Sequence, residues 1–421
     1  ARSSAASDVY KRQALIRELH NQAQNVFDLQ SEPVLRASLL RLADKNHVLS
    51  LVFHHLVFDR WSEEVFRKEI GWFYQAQFHD HPQPLPELET QYANYAHWQR
   101  EWIMSDAGKR QGEYWMERLS GDLPILNLPI DARRPPTRSF SGATVNFDLS
   151  ADLSELIQEM SQRGSVTMHS TLLAAFLVLL HRYTSQDDIL LGIPVAGRML
   201  PETEALIGLF VNTLAVRHDL SGDPTVQELI RRVSQTTLED LSNQDYPFEL
   251  IVQALNPSRD LRTTPLFQVM FNYENIPTQA FSMEPLQLKS IEYDPGLAQF
   301  DLTMGILTQG DIHSCEVSFN RDIFERATIE RLVGHYRTIL EGFVADPQAN
   351  ISDLPLLTKD EIPILGVGWS EPIPHETTTK NLHSWFEFQV DRTPEAVAVE
   401  FEGETLTYAA LNRQANRLAH R

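Results

Sequence analysis

Nine consecutive residues carry the groups that proton transfer needs: His54-His55, Leu56-Val57-Phe58, then Asp59-Arg60-Trp61-Ser62. A neutral imidazole takes up a proton near pH 7, which suits a general base. Asp59 lies four residues on, where a carboxylate either fixes an imidazole tautomer or makes an ion pair that holds the loop. The apolar run 48–53 before the pair reads as a buried strand. Neighbours on a strand face opposite sides, so one histidine faces a cleft and the other points inward and needs a partner. The plain alternative is two core histidines with satisfied hydrogen bonds. The His-His-Asp set has no second ligand cluster at metal spacing, so no metal is expected. Ser62 suits an N-cap, and Glu63 and Glu64 suit the first turn of a helix dipole. Phe66, Ile70 and Phe73 then recur at helical spacing, as a core stripe does.

The flanking chain supplies the elements that must position these groups. Residues 35–42 and 48–53 read as a hairpin. Residues 1–8 are small and polar and read as irregular. Tyr92, Tyr95, Trp98 and Trp102 mark an aromatic helix whose rings read as core. Residues 123–138 hold four prolines and read as a crossover between two halves. Residues 144–149 read as a strand, 151–163 as a helix, and 168–183 as a helix apolar nearly all round and hence buried. Residues 188–195 and 207–217 read as strands, with Gly208 a bulge or close-approach position and Asn212 in need of hydrogen-bond partners if buried. A helix over 225–241, capped near Asp223, and a turn with Pro247 in the first helical position follow. Three strands (286–293, 300–308 and 312–320) and a closing helix over 324–344 complete this part.

The 421 residues favour two or more domains or lobes. A formal net charge of −21 argues against nucleic acid as a partner. The single cysteine, Cys315, leaves no internal disulfide and fits a reducing, cytoplasmic setting. No apolar run is long enough to cross a bilayer, so no membrane partner is expected.

The nine-residue stretch resembles the active-site motif of condensation domains of nonribosomal peptide synthetases: His-His, three residues, Asp-Gly, then often Trp-Ser. His54, His55, Asp59, Trp61 and Ser62 match, and Arg60 stands where the family usually has glycine. Further blocks resemble the family in its order. They are Phe27-Asp28-Leu29 with Pro33-Val34-Leu35-Arg36, then Tyr92-Ala93-Asn94-Tyr95-Ala96, then Ile207-Gly208-Leu209-Phe210-Val211-Asn212-Thr213, then Gln244-Asp245-Tyr246-Pro247-Phe248-Glu249. After a proline- and threonine-rich linker over 358–381, residues 382–421 resemble the start of an adenylation, or AMP-binding, domain, with its Leu406-Thr407-Tyr408 block.

The resemblance implies an α/β fold of two chloramphenicol acetyltransferase-like lobes forming a V with a central channel, plus a short αβ piece. The lobes would be 1–135, incomplete at its start, and 136–357. It implies amide formation between a carrier-tethered donor thioester and a carrier-tethered aminoacyl acceptor in antibiotic-type secondary metabolism. His55 would be catalytic, with His54 and Asp59 structural. Arg60, Trp61, Ser62, Gly208 and Asn212 would line the channel, with Arg60 tuning donor choice. The arginine that pairs with Asp59 is expected in an N-terminal part outside the chain. No cofactor would bind directly; phosphopantetheine arms would come from upstream and downstream carrier domains, and the ATP site of the adenylation domain lies outside the fragment.

Rival readings are a catalytically silent platform that docks carrier domains and an epimerase of the same superfamily, which normally lacks an adenylation start behind it. A heterocyclising relative would replace the first histidine with aspartate, and a free-standing acyltransferase would use a soluble coenzyme A thioester.

Overall fold

The computed structural model describes residues 2–77, 85–257, 260–275, 283, 285–291, 293–309, 312–363, 382–401 and 403–419. The chain divides into two compact units, Ala1–Thr358 and Lys359–Arg421.

The first unit opens with helix α1 (Arg2–Gln24), so the small polar start is helical rather than irregular. Strands β1 (Leu35–Ala43) and β2 (Asn46–Phe53) form the expected antiparallel hairpin. Val48 packs with Leu15 and Leu19 of α1, so one face of the hairpin is covered by that helix. Leu39 and Leu49 pair across the other face and are 68% and 51% exposed. Helices α2 (Arg60–Ala76), α3 (Tyr92–Met104) and α4 (Asp106–Arg118) follow. Asp59 is the N-cap of α2, and the helix starts at Arg60, two residues before the expected start at Ser62. The short side chain and extended backbone of an aspartate suit that position as well as a serine does.

The second half is built on a mixed six-stranded sheet. Its strands are β3 (Gly142–Asp148), β4 (Asp188–Val195), β5 (Asn212–Asp219), β6 (Val269–Glu274), β7 (Leu302–Gln309) and β8 (Ile312–Asn320), in the order β3-β8-β7-β6-β4-β5. Only the β4–β6 and β6–β7 neighbours are parallel. One face is covered by α5 (Ala151–Arg163), α6 (Met168–Thr184), α7 (Val226–Leu241) and α9 (Arg326–Ala345), while α8 (Phe248–Leu255) packs near the β5 edge. Every residue of α6 from Ser170 to Leu180 is buried, as its all-round apolar pattern predicts. The two halves are unequal in sheet content: among the described residues the first contributes a two-stranded sheet and the second six strands.

Several sequence expectations shift. Residues 207–211 are not strand; β5 begins at Asn212. Helix α7 is capped by Thr225, whose hydroxyl accepts from the Glu228 N–H, while Asp223 instead bonds Ser352. The expected strand over 286–293 is reduced to an isolated bridge between Met283 and Leu286, and residue 292 lies outside the described residues. Phe73 is 54% exposed and not part of a core stripe.

Helices α4 and α7 meet at the fully buried Asp240, which accepts from the Tyr114 hydroxyl at 2.6 Å and lies 3.6 Å from Arg118 Nε. Burial pushes its carboxyl up to about 6, with Tyr114 and Arg118 opposing. A raised folded value means that stability from this group is complete below the ordinary 3.8 and is lost as pH rises through about 6. Asp240→Asn keeps the acceptor for Tyr114 and removes the titration. Denaturant unfolding of both proteins from pH 4 to 7.5 is expected to show the wild type losing about 2–3 kcal/mol more than the variant.

The second unit contains α10 (Leu382–Arg392), an antiparallel hairpin of β9 (Val397–Phe401) and β10 (Glu404–Thr407), and α11 (Tyr408–Ala419). Val397, Val399 and Phe401 are exposed on β9.

Candidate active site

Strand β2 stops at Phe53, and a single 3₁₀ turn, His55–Val57, joins it to α2. Phe53 and Phe58 stack at 3.8 Å, and Phe66 meets both edge-on. The stacked rings bring the two ends of the loop together and push residues 54–57 outward. The histidines therefore sit on a turn rather than on one strand, and their separation comes from the turn.

His55 is exposed, and its Nδ1 lies 2.7 Å from the Phe58 carbonyl oxygen. A carbonyl only accepts, so Nδ1 carries the hydrogen and, in the neutral ring, Nε2 carries the lone pair. Nε2 has no protein partner among the described residues. His54 has the opposite arrangement. Its Nδ1 accepts from the Leu56 N–H at 3.1 Å and its ring meets Phe27 edge-on at 5.7 Å. His54 thus holds the turn, and His55 offers a base to solvent.

Asp59 and Ser62 are buried and bind the start of α2 to the β4–β5 loop, residues 196–211. Asp59 Oδ1 accepts from the Ser62 N–H at 2.7 Å, and Oδ2 accepts from the Phe210 N–H at 2.9 Å. The arginine that pairs with Asp59 is Arg198, within the chain, with Nη2 3.1 Å from Oδ1. This corrects the expectation of a partner in an N-terminal segment; the two residues are 139 positions apart and meet only through the fold.

Arg198 Nη1 donates to the carbonyls of Thr203 and Leu206, and Nη2 also donates to Ser62 Oγ at 3.0 Å. Its guanidinium lies 4.0 Å from the Phe210 ring centroid. Burial works to raise the Asp59 carboxyl, but hydrogen bonds from Ser62 and Phe210 and the Arg198 charge together hold it below 3.8. Burial pulls Arg198 below the ordinary guanidinium value, with Asp59 opposing.

Ser62 Oγ also donates to the Gly208 carbonyl at 2.9 Å and accepts from the Gly208 N–H at 3.0 Å. Both backbone groups of Gly208 are thereby taken from any sheet, which is why the apolar 207–211 stretch does not pair as a strand. Trp61 Nε1 donates to the Glu204 carbonyl at 2.9 Å, from the same loop.

The Gly208 backbone passes under Tyr92. A Cβ there would lie 2.3 Å from Tyr92 Cδ2, and the Tyr92 hydroxyl donates to the Leu209 carbonyl at 2.8 Å. Tyr92 and Tyr95 also pack on Phe210, so these two rings of α3 serve as packing for the loop. Gly208→Ala must displace the Tyr92 ring. It is expected to destabilise the chain by about 1–3 kcal/mol in denaturant unfolding.

Asn212 hydrogen-bonds on every side. Its Nδ2 donates to the Gln244 and Tyr246 carbonyls, and its Oδ1 accepts from the Thr213 and Phe248 N–H groups. Two donors and two acceptor positions are filled, which leaves none for a ligand. The amide pins the turn before α8 to the first residue of β5.

Arg60 reaches the other half of the unit. Its Nε donates to Glu274 at 3.2 Å, and Nη1 donates to Glu63 at 2.9 Å and Glu64 at 3.2 Å. Among the described residues no group of three or more His, Cys, Asp or Glu side chains is placed to hold a metal ion.

Arg198 and Glu274 lie outside every sequence block, and Phe210 lies in the 207–213 block with no role assigned to it there. A weak signal exists for the first: Gly197-Arg198 comes one residue after an apolar strand, and an arginine buried at such a point requires an anion.

The site is thus an exposed imidazole on a turn, with its motif helix bolted by a buried ion pair to a second half built on a large mixed sheet. Residues 3–363 match the condensation-domain family, and the chain belongs to that family, the amide-forming acyltransferase domains of nonribosomal peptide synthetases. It is 39% identical over 413 residues to a linear gramicidin synthase polypeptide of Brevibacillus parabrevis, covering 97% of this chain and 8% of that protein. It is likewise 39% identical over 419 residues to malpinin synthetase of Mortierella alpina, covering 100% of this chain and 5% of that protein. The chain thus spans less than a tenth of either relative.

Among solved structures it is similar to the X-domain from teicoplanin biosynthesis, with 27% identity and a TM-score of 0.73 over 82% of this chain and 79% of that one. A four-domain nonribosomal peptide synthetase bound to AMP and glycine shares the fold, at 21% identity and a TM-score of 0.75, over 97% of this chain and 32% of that one. Among the described residues no single helix is long and apolar enough to cross a membrane.

Proposed function

We propose that this chain joins a carrier-tethered acyl or peptidyl donor to a carrier-tethered aminoacyl acceptor. The observation that carries the reading is the His55 ring: Nδ1–H is held by the Phe58 carbonyl, and Nε2 is left open at an exposed position. The acceptor amine attacks the donor thioester carbonyl, so a C–N bond forms and the C–S bond breaks. Nε2 accepts the amine hydrogen as the bond forms and returns the proton to the leaving thiolate. Presenting both substrates on phosphopantetheine arms converts a chance encounter into a positioned reaction.

The chain is read as a piece of a longer synthetase, with carrier domains on either side. The Leu39 and Leu49 face of the first hairpin is apolar and exposed, as it would be beneath further structure. The second unit is read as the start of an adenylation domain. Similarity to multidomain synthetases continues over 419 residues, past the end of the family match at 363, and the apolar residues of β9 are exposed as they would be beneath further structure.

The test is reconstitution of the intact module with a loaded donor carrier and a loaded acceptor carrier. Mass spectrometry should find the extended chain on the acceptor carrier. Both carriers remaining singly loaded would overturn the reading.

A further inference from the structure

Arg60 occupies a position where its family usually has glycine, yet residue 60 is the first residue of α2 and needs no left-handed backbone. The side chain is free to reach, and it reaches across the unit. Glu63 and Glu64 are its neighbours on α2, but Glu274 is 214 residues away and closes β6. Glu274 is held from both sides: Oε2 accepts from Arg60 at 3.2 Å, and Oε1 accepts from Asn272 Nδ2 at 3.0 Å. The Arg60 and Glu274 side chains are 35% and 24% exposed, against 1% and 3% for Arg198 and Asp59.

Consecutive residues therefore tie the start of α2 to two places in the second half. Asp59 ties it to the β4–β5 loop through a buried pair. Arg60 ties it to the end of β6 through a pair that solvent and salt can reach. Phe58, whose carbonyl sets the His55 ring, is two residues before Arg60.

We propose that Arg60 and Glu274 are a positioning pair for the condensation reaction, an ionic tie that fixes how closely the His55 turn lies against β6. The pair acts through Phe58 and the His55 ring and not by touching substrate. This rests on the reading of His55 as the reacting group.

The experiment compares wild type, Arg60→Gly, Glu274→Gln and the double variant in the intact module, with both carriers loaded. Each single change is expected to lower kcat about three- to tenfold with KM held within about twofold, and the double no further, because a broken pair cannot be broken twice. Raising salt from about 0.05 to about 0.5 M should lower the wild-type kcat towards that of the variants and leave the double variant unchanged. Arg60→Lys, which keeps the charge, should recover most of the rate.

Hydrogen exchange gives a readout free of activity: the amides of residues 55–62 should exchange faster in each variant. Additive losses, a rate that follows melting temperature across the four proteins, or unchanged kcat and exchange would each overturn the proposal. A fully active His55→Ala protein would instead remove the reading of His55, while faster exchange in Arg60→Gly would still support the tie.

Discussion

Replacing His55 with alanine is expected to lower kcat for amide formation by about 10²–10⁴-fold, the range that a positioned general base or amine-orienting group supplies. The chain should fold as before, because the ring is exposed and its one protein hydrogen bond among the described residues goes to the Phe58 carbonyl, which water can satisfy. Binding of the loaded carriers should also persist. That combination separates catalysis from the rival view of the domain as a silent platform, since a platform would keep making product. His54→Ala should show the converse pattern. It removes the acceptor for the Leu56 N–H and the contact with Phe27, so its loss appears first in stability. Single-turnover assays with pre-loaded carriers, run beside thermal melts, measure both. Undiminished product from the His55→Ala module would remove His55 from the mechanism.

What could be read from the residues depended on how local each cause is. The hairpin and α6 follow from spacing within a dozen residues, and both stand where the pattern puts them. The His-His-x-x-x-Asp set was legible as chemistry because its residue types are few and their spacing fixed. Its geometry was not: the turn at His55 is made by Phe53 stacking on Phe58, and nothing in the apolar run ending at Phe53 announces where the strand stops. Residues 207–211 are apolar enough for a strand, yet the Ser62 hydroxyl, 146 positions away, takes both backbone groups of Gly208. Asn212 was correctly marked as a residue needing partners. Its partners lie in the turn before α8, which no local pattern ties to β5. Arg60 looked like a cation free to meet substrate until β6 brought Glu274 to it. Apart from the local Phe53–Phe58 stack, the missing information in each case is a tertiary contact between residues far apart in sequence.

The second large effect concerns the bolt under the turn. Asp59→Asn is expected to cost about 3–5 kcal/mol, because it leaves the Arg198 guanidinium buried at 1% exposure without a counter-charge. Asparagine is as good an N-cap as aspartate, so the hydrogen bond from the Ser62 N–H can survive, and the loss reports the ion pair together with the acceptor that Oδ2 gives the Phe210 N–H. Removing the cap as well, with Asp59→Ala, should add about 0.5–2 kcal/mol.

The decisive comparison is the double variant Asp59→Asn with Arg198→Met. With neither charge present there is no unpaired ion to bury, so it should be more stable than Asp59→Asn by itself. The pH dependence has a definite sign. The Asp59 carboxyl is held below 3.8 in the folded chain, so its contribution is present above that value and is lost as pH falls further. The stability gap between wild type and Asp59→Asn should therefore stay constant from pH 8 down to about 4 and close only in more acid solution. Activity should fall with the bolt, because Phe58 and His55 are carried on the chain that Asp59 anchors. A variant lacking the pair but keeping full stability and turnover would show that the β4–β5 loop is held to α2 by Ser62, Trp61 and packing alone.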